Sequence, residues 1–507
     1  MTARTENHSP LKLPPVMDKV REILSDQSVY LVGGAVRDAL LQREIHDLDF
    51  AVPANGIKIA RKVADALRVN FYALDEERDT GRVVVQDEDD KPMYLDFATF
   101  RGADLEADLR GRDFTVNAIA YDIHSMELID PLGGAQDLRD RKLRLCAPTA
   151  IADDPVRILR GVRLAADHEF LIEKDVTKAM RLAVEGLHKN SPERLRDEFF
   201  RILEGPGPTA CLRALDLFGA IEPILPELMA LKGLDQPEIH VHDAWEHTLA
   251  VMRHLEMILD ALQPAYDPEK ASDLLNGMLV LRIGRYRTQI AQSLARPNTP
   301  TRMRRGSLFL AALYHDIAKP KMRIVENGRI RFLGHDQEGA EIAARRARAM
   351  ALSNEEVQQI EGIVREHMRI LYHTNRLIEG GHAPTRRAIY RFFRDTGEDG
   401  VGVCLLALAD MRATFEHTIR QEDWGACLEV VRLLLENWYE RHQETVKPQV
   451  MVDGNDLMRE LDIKAGPKVG ELLEMIREAQ AAGEVNTRDQ ALALARKNLE
   501  PGKPGQK

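Results

Sequence analysis

Cysteine is scarce in this chain, and long apolar runs are absent from it. The 507 residues include only four cysteines, and these stand far apart, with none of the paired spacings of a zinc knuckle or a disulfide framework. They are Cys146, Cys211, Cys404 and Cys427. We therefore expect reduced thiols and a cytoplasmic protein. No stretch reaches the about 20 apolar residues of a membrane span, and the N-terminus lacks a signal peptide's apolar core, so we expect no membrane partner.

Charge of one sign is not in large excess. A net charge of −11, with 44% apolar and 30% charged residues, is ordinary for a soluble globular protein and argues mildly against a nucleic-acid partner. Basic clusters nevertheless occur, and together they suggest RNA, although each alone is usually a solvated helix face. They are "DLRDRKLRL", "RILRGVR", "TRMRRG", "ARRARA" and "TRRAIYRFFR".

Strand patterns are confined to the first part of the chain. "VYLV", "DLDFAV", "RVVVQ" and "MYLDFATF" read as strands between helical segments, which predicts an α/β head with a small mixed sheet and helices packed on it. Helical periodicity then dominates, which predicts an all-α remainder, and the length requires several domains. The predicted divisions are an N-terminal extension (1–25), the head (26–145), a helical neck (146–235), a metal-binding helical domain (236–420, with a loop-flanked insertion at about 260–305), a helical tail (421–497) and a disordered end (498–507).

The stretch "LVGGAVRDALLQREIHDLDFAV" combines two chemical features. Asp47 and Asp49 lie two residues apart on a strand, so they share a face, and two close carboxylates are stabilised by a divalent cation such as Mg²⁺. Upstream, Gly33 and Gly34 lead into a helix, where backbone N–H groups attract phosphates, and Arg37 follows one turn later. Either half alone is ordinary, but both together indicate phosphoryl transfer.

This stretch resembles the signature of class II tRNA nucleotidyltransferases, the family of CCA-adding enzymes and bacterial poly(A) polymerases. Further segments resemble its motifs in the family's order, over residues 31 to about 205. They are "GRDFTVNAIAYD", "LIDPLGGAQDLRDRKLR", "DDPVRILRGVRLAA" and "SPERLRDEFFRIL". The resemblance implies template-independent transfer of CMP and AMP from CTP and ATP to a tRNA 3′ end. Asp47 and Asp49 would be the catalytic, Mg²⁺-binding pair.

Base choice is the second problem of such a reaction. Cytosine and adenine each present an amino donor beside a ring-nitrogen acceptor, so one rigid carboxylate and one guanidinium can select both. Asp154 and Arg157 fit this requirement and fall on the family's selecting residues. Arg112 matches a nucleotide ligand of the family, and Arg160 and Arg163 continue the helix face as phosphate or base ligands. The alternative interpretation is that "DPVRILRGVR" forms an ordinary basic amphipathic helix without a role in nucleotide binding.

Two features depart from the family. The family's first arginine of Arg-Arg-Asp is Gly111 here, and its Glu-Asp is Asp153-Asp154. The span from Phe100 to Arg112 is also short, where complete CCA-adding members have a longer flexible loop, and it reads mostly as a short helix. Members without this loop tend to add CC alone, so we expect CC addition, with the final A left to a separate enzyme. Poly(A) addition stays open as an alternative.

A second set of residues occurs downstream in a fixed order. It resembles the HD phosphohydrolase superfamily with two metal positions, and consists of His247, His315, Asp316, His335, His367 and Asp410. Imidazole and carboxylate ligands favour Mn²⁺, Ni²⁺, Fe²⁺ or Zn²⁺. His242 and His373 are candidates for outer contacts, and Asp96 in the head is more consistent with a structural role.

Other classes of protein fit less well. Alarmone synthetase-hydrolases also join these two modules, but in the reverse order. An HD phosphohydrolase with a non-catalytic RNA-binding transferase domain is disfavoured by the intact Asp47, Asp49, Arg112 and Arg157. The C-terminal segment resembles a helical segment of the longer family members, where it either cradles tRNA or only packs. The oligomeric state stays open.

Overall fold

The computed structural model describes residues 11–45, 47–87, 91–267 and 273–499. Most of the predicted disordered end, the first ten residues of the extension and part of the "QPAYDPEKAS" loop lie outside the described residues. The chain divides into two compact units. One comprises residues 1–206 and 210–224, and the other comprises 207–209 and 225–507.

The first unit contains a seven-stranded mixed sheet, which confirms the predicted α/β head. Its strands are β1 (Tyr30–Val32), β2 (Asp47–Val52), β3 (Asn70–Asp75), β4 (Thr80–Gln86), β5 (Pro92–Thr99), β6 (Ala120–Asp122) and β7 (Leu128–Ile129). Their order is β3-β4-β5-β2-β1-β6-β7. Strand β2 pairs in parallel with β5, and every other neighbouring pair is antiparallel.

Alternation along β2 decides which side chains reach the surface. Leu48 and Phe50 are buried, and the Phe50 ring stacks on Phe97 with centroids 4.5 Å apart. Asp47 and Asp49 alternate with them and lie on the exposed face. The apolar positions therefore anchor the strand, and the two carboxylates project from one side of it.

Helices surround this sheet and continue beyond it. They are α1 (Val16–Ile23), α2 (Gly34–Leu40), α3 (Gly56–Leu67), α4 (Leu105–Arg110), α5 (Gly134–Asp140), α6 (Ala150–Asp153), α7 (Arg157–His168), α8 (Lys174–Ala183), α9 (Pro192–Glu204), α10 (Pro208–Phe218) and α11 (Ile221–Ile224). A short parallel pair, β8 (Lys142–Leu143) and β9 (Leu171–Ile172), lies among them. Helix α9 begins as its sequence predicts, because Ser191 caps it and Pro192 opens it.

The second unit is helical, as predicted. Its helices are α12 (Ala244–Ala261), α13 (Leu274–Ile283), α14 (Arg287–Ala295), α15 (Arg304–Tyr314), α16 (Lys319–Met322), α17 (His335–Ala349), α18 (Asn354–Glu366), α19 (Met368–Gly380), α20 (Arg386–Thr396), α21 (Gly400–Phe415), α22 (Gln421–Tyr439), α23 (Gly454–Leu461), α24 (Pro467–Ala482) and α25 (Arg488–Leu499). Helix α21 is buried over all but its last residue and forms the centre of this unit. Among the described residues, no helix combines the length and apolarity needed to cross a membrane.

Two small β-ribbons interrupt these helices. One pairs β10 (Pro297–Thr299) with β11 (Arg302–Met303), and the other pairs β12 (Ile324–Glu326) with β13 (Arg329–Arg331). The first ribbon lies in "ARPNTPTRMRRGS", the proline-containing segment at the end of the predicted insertion, for which the sequence predicts only a loop. Its strands are only two and three residues long, so no alternating pattern marks them.

The basic cluster of α20 has a structural partner. Arg387 and Arg391 pair with Glu478 of α24, at 3.2 and 2.6 Å, and Arg394 pairs with Glu474 at 3.2 Å. These guanidinium groups dock the C-terminal helices, which have an apolar core of their own that includes Leu472. This cluster is therefore weak support for an RNA surface.

Candidate active site and metal centre

A glycine brings the turn before α2 against the aspartate pair. Val32 of β1 is paired with Asp49 of β2, and the next residue, Gly33, has φ +75°. A Cβ atom at Gly33 would lie 3.2 Å from Asp49 Oδ2 and 3.4 Å from Arg112 Nη1. The turn therefore requires glycine both for its backbone conformation and for its close approach to these two groups.

Asp49 lies beside a third carboxylate. Its register partner on β5 is Asp96, whose oxygens accept two hydrogen bonds from Arg82, at 2.8 and 2.7 Å. Asp49 lies on the exposed face of β2, but many protein atoms surround its carboxylate. The resulting loss of hydration, and then the charge of Asp96, raise the pKa of Asp49 to about 6. A divalent cation bound by Asp47 and Asp49 would relieve this repulsion. Asp96 is committed to Arg82, which supports its assignment as structural.

Arg37 is close to the turn but already bonded. Its Nε and Nη2 atoms donate to Asp38 at 2.9 Å, and Nη1 donates to Asn117 at 2.7 Å. The guanidinium lies 3.4 Å from the Cβ position of Gly34. Two N–H groups of Arg37, one on Nη1 and one on Nη2, are not used by these three bonds and could donate to a phosphate.

Hydrogen bonds to neighbouring groups fix the positions of the Arg112 and Arg157 side chains. Buried Asp108 accepts from Arg112 Nε at 3.2 Å and Nη2 at 3.0 Å. Arg157 donates to the carbonyl oxygens of Ala150, Gly111 and Arg112, at 3.1, 3.2 and 3.3 Å. Arg157 therefore fixes the segment that carries Arg112.

Asp154 lies beside Arg157, as the sequence predicts. Arg157 Nε is 3.8 Å from Asp154 Oδ2, which also accepts from Arg194 at 2.7 Å. Its Oδ1 accepts from Asn190 at 3.1 Å. These groups line a cavity of about 700 Å³, which Arg78, Arg101 and Lys189 also border. The sequence alone did not identify Arg194, Asn190, Arg78, Arg101 or Lys189, because they come from separate segments.

Arg160 and Arg163 are half-buried and pair with buried carboxylates. Glu198 of α9 accepts from Arg160 at 3.0 Å and from Arg163 at 3.2 Å. Arg160 also donates to Asp113 at 3.2 Å, and Arg163 donates to Asp167 at 3.0 Å. Arg160 borders the cavity, whereas Arg163 is absent from its lining. The contacts of Arg163 thus give it a structural role in joining α7 to α9.

In the second unit, the six predicted metal ligands converge. They form two groups, within each of which the ligand atoms lie within 4.8 Å of one another: His247, His315 and Asp410, and then Asp316, His335 and His367. All six are buried. Asp316 bridges the groups, with Oδ2 3.1 Å from His315 Nε2 and Oδ1 3.3 Å from His335 Nε2.

The imidazole orientations suit a metal. Nδ1 of His315, His335 and His367 lies 2.6–2.7 Å from the carbonyl oxygen three residues earlier. Donation there leaves each Nε2 lone pair for the centre. Within the described part of the chain, these three buried Nε2 atoms have no hydrogen-bond partner. Such unpartnered buried acceptors fit a divalent metal pair.

The charges agree with this arrangement. Burial alone would raise the pKa of Asp316, but the neighbouring His315 and Lys319 outweigh it and hold the pKa well below its ordinary value. Burial, with the charges of nearby histidines, lowers the pKa of His367 to about 4. His367 therefore has the neutral state that binds a metal, whereas at His315 the charge of Asp316 outweighs burial and raises the pKa, so a metal ion there would displace a proton.

A cavity of about 550 Å³ opens beside this centre. His240 and Lys319 line it, and Lys319 Nζ lies 2.6 Å from both Asp316 Oδ2 and Gln236 Oε1. Neither His240 nor Lys319 was among the predicted site residues. His242 contacts Glu416 at 3.5 Å, and His373 lines a different cavity, so neither contacts the six ligands.

The sheet with its aspartate pair and glycine turn, followed by this helical centre, defines a nucleotidyltransferase head joined to an HD domain. Four family models match consecutive parts of the chain, from the head to the C-terminal helices. They are "Poly A polymerase head domain" (29–144), "RNA and SrmB- binding site of polymerase A" (169–232), "HD domain" (244–411) and "tRNA nucleotidyltransferase domain 2" (433–495).

Relatives match along most of the chain. A CC-adding tRNA nucleotidyltransferase of Thermus thermophilus is 31% identical over 475 residues, covering 92% of this chain and 93% of the relative. An A-adding tRNA nucleotidyltransferase of Deinococcus radiodurans is 30% identical over 474 residues, covering 92% and 94%. The chain therefore belongs to the tRNA nucleotidyltransferase family, which confirms the resemblance.

Solved structures show the same fold. A CCA-adding enzyme in complex with CTP matches with a TM-score of 0.59 at 19% identity, over 96% of both chains. A Thermotoga maritima CCA-adding enzyme complexed with tRNA matches with a TM-score of 0.57 at 20% identity, over 98% of this chain and 97% of that one.

Proposed function

We propose that this protein is a template-independent nucleotidyltransferase that extends the 3′ end of tRNA with nucleotides from CTP and ATP. The observation that carries the proposal is the convergence of Asp47, Asp49, Gly33 and Arg112 on one face of the sheet. Membership of the tRNA nucleotidyltransferase family supports it.

The head residues divide the work of the transfer. Asp47 and Asp49 would hold Mg²⁺, which supplies activation of the RNA 3′-hydroxyl and charge neutralisation on the departing pyrophosphate. The turn at Gly33 lets backbone N–H groups approach the triphosphate. Arg112, oriented by Asp108, presents its remaining N–H groups to phosphate oxygens.

Asp154 and Arg157 would select the base. The carboxylate accepts from the exocyclic amino group of cytosine or adenine, and the guanidinium donates to the adjacent ring nitrogen. Uracil and guanine present a carbonyl and a ring N–H there, so their donors and acceptors are mismatched. Arg194 and Asn190 hold Asp154 at the cavity wall and keep its geometry fixed.

We propose CC as the product. The span after β5 forms helix α4, which Asp104 caps through the Ala107 N–H at 2.8 Å. Asp108 of α4 then accepts hydrogen bonds from the backbone N–H of Arg101 and from the side chain of Arg112. These two residues lie at the two ends of the span, so both ends are fixed. In complete CCA-adding enzymes a flexible loop moves so that the selecting residues accept adenine after cytosine. The hydrogen bonds of this span prevent the same movement. The Thermus relative is named CC-adding, which supports this product. The Deinococcus relative is named A-adding, so addition of A is the alternative product to test.

The test of the transferase is removal of its carboxylates. Asp47→Ala and Asp49→Ala should each abolish addition of labelled CMP to a tRNA transcript that lacks CCA, while tRNA affinity stays within about twofold. Asp65→Ala, an exposed aspartate of α3, is the matched control and should retain wild-type activity. Activity of either site variant within a few-fold of wild type would refute the assignment.

We also propose a metal-dependent phosphohydrolase in the HD domain. Its support is the pair of three-ligand groups, with their unpartnered Nε2 atoms, beside a cavity of about 550 Å³. The chemistry of the ligands favours Mn²⁺, Fe²⁺, Ni²⁺ or Zn²⁺. Phosphoesters such as 2′,3′-cyclic nucleotides are the substrate class to test.

His315→Ala and Asp316→Ala should lose bound transition metal, measured by elemental analysis, together with cyclic-nucleotide hydrolysis. Nucleotide addition should persist, because the ligands lie in the other unit of the chain. His417→Ala, an exposed histidine, serves as the control. Joint loss of both activities would show that the two units act as one catalytic centre.

A further inference from the structure

Two arginines of the head, neither of them a predicted site residue, border the cavity of about 700 Å³ beside Asp154. Arg78 lies in the turn between β3 and β4, and Arg101 follows β5. Both line the cavity that holds Asp154 and Arg157, and both also line a smaller cavity of about 360 Å³. Neither belongs to a segment that the family resemblance assigns to nucleotide binding.

The two arginines are attached to a rigid frame. Asp79, next to Arg78, accepts from Gly56 N–H at 2.8 Å and from Thr99 Oγ1 at 2.6 Å. This ties the turn to the end of β5, close to Arg101 in the chain. The N–H of Arg101 donates to Asp108 at 3.0 Å, the carboxylate that also orients Arg112. The backbone that carries the two arginines is thus fixed by hydrogen bonds.

Cationic side chains outnumber acidic ones along this cavity, although Arg160 is also paired with Asp113 and Glu198 behind it. The cavity is bordered by six cationic side chains, Arg78, Arg101, Arg157, Arg160, Lys189 and Arg194, and by two acidic ones, Asp153 and Asp154. Asp154 is already bonded to Arg194 and Asn190. Burial, and then repulsion from Arg112, lowers the pKa of Arg101. The Arg78 side chain is 68% exposed and lies 3.7 Å from Asp75 in an ion pair.

We propose that Arg78 and Arg101 form a phosphate-binding subsite at the mouth of this cavity, distinct from the Gly33 turn. A phosphate would reduce the repulsion among the guanidinium groups and accept their paired N–H donors. The phosphate comes either from the nucleoside triphosphate or from a phosphodiester of the RNA 3′ end. The proposal rests on the proposed transferase function and adds to it the residues that hold one substrate.

The experiment measures nucleotide addition by full-length Arg78→Ala, Arg101→Ala, Arg78→Lys and Arg101→Lys variants. Each alanine variant should raise one KM, for CTP or for tRNA, by about tenfold, equivalent to about 1.4 kcal/mol. Its kcat should stay within about twofold, and the lysine variants should recover part of the loss, because the charge remains. Arg110→Ala is the control, since Arg110 is exposed and pairs with Glu106 on α4.

The KM that rises identifies the source of the phosphate. If the source is RNA, the slope of log KM for tRNA against log salt should fall by about 0.7 for each arginine–phosphate ion pair that the substitution removes. If it is the triphosphate, KM for CTP rises and that slope is unchanged. Both KM values at wild-type level, or a loss confined to kcat, would overturn the subsite.

Failure of the transferase assignment would be recognised separately. If the wild-type protein added no nucleotide to any tRNA, direct binding of CTP and of tRNA to the variants would judge the subsite. Unchanged dissociation constants for both ligands would then overturn it. If an alanine variant did not fold by circular dichroism, Arg101→Gln and Arg78→Gln would replace it in the same measurements.

Discussion

Asp154, the proposed base-selecting residue, is held in place by neighbouring donors. Each of its oxygens already accepts a hydrogen bond, one from Asn190 and one from Arg194, and Arg157 stands 3.8 Å away. A carboxylate oxygen has a second lone pair, so Asp154 can accept from an incoming amino group without giving up these bonds. Asn190 and Arg194 thus position the Asp154 carboxylate and stabilise its charge.

Asp154→Ala should therefore alter base choice more than it slows the transfer. Without the acceptor, the preference for CTP over UTP and GTP should fall by about tenfold or more, since removal of one charged hydrogen bond corresponds to about 1.5–3 kcal/mol. Incorporation of the four nucleotides, each labelled, measures this ratio. Asp175→Ala on the exposed first turn of α8 is the control. An unchanged ratio would remove Asp154 from selection.

At this scale the sequence predicts the residues that lie within motifs, but not those that meet only in space. Asp49 lies near Arg112, Asp154 lies beside Arg157, and the six predicted HD residues form two groups in the second unit. Arg78 and Arg101 were not predicted as site residues, since they lie in two separate segments of the chain. Their importance appears only when the fold places them around one cavity.

At the scale of elements, Glu198 joins α7 to α9. Its side chain is 5% exposed and forms ion pairs with Arg160, Arg163 and Arg201. Burial alone would raise the pKa of Glu198, but these cations outweigh it and hold the pKa below the ordinary 4.5. The network therefore positions α7, the helix that carries Arg157, through charge and not through apolar packing alone.

Glu198→Ala should lower the free energy of unfolding by about 1.5–3 kcal/mol, because it removes the buried acceptor that the half-buried Arg160 and Arg163 share. Glu193→Ala, on the exposed face of α9, should change it by less than about 0.5 kcal/mol. Denaturant unfolding of the first unit within the full chain measures both. Equal effects of the two substitutions would contradict the role of Glu198.

The same network has a defined pH dependence. A carboxyl group whose pKa is lowered by folding stabilises the protein above its unfolded pKa and loses this contribution as pH falls through the folded value. The difference in stability between wild type and Glu198→Ala should therefore be complete at about pH 7 and should shrink below about pH 4.5. A difference that stays constant down to about pH 3 would mean that the charge of Glu198 contributes nothing.

Secondary structure was predictable where burial is periodic. Strand β2 alternates and helix α7 has an apolar stripe, and both formed as expected. Strand β3 was not predicted, because its residues are exposed or only half-buried throughout and show no alternation. It is held by pairing with β4, an interaction that a local pattern does not reveal.

At the scale of the whole molecule, the chain joins two sets of functional residues in two compact units. The first unit holds the aspartate pair and the nucleotide cavity, and the second holds the histidine-rich centre. The six residues of that centre include none from the first unit. The anchored helix α4 carries the most specific part of the proposed function, that nucleotide addition stops after CC.

The most direct test offers the purified protein three tRNA transcripts, ending before CCA, after the first C and after CC, with each labelled nucleoside triphosphate. The account predicts efficient addition of C to the first two transcripts and poor addition of A to the third, because α4 cannot act as a mobile lever. Efficient conversion of the CC-ending transcript to CCA, or the absence of C addition to the shorter transcripts, would contradict it.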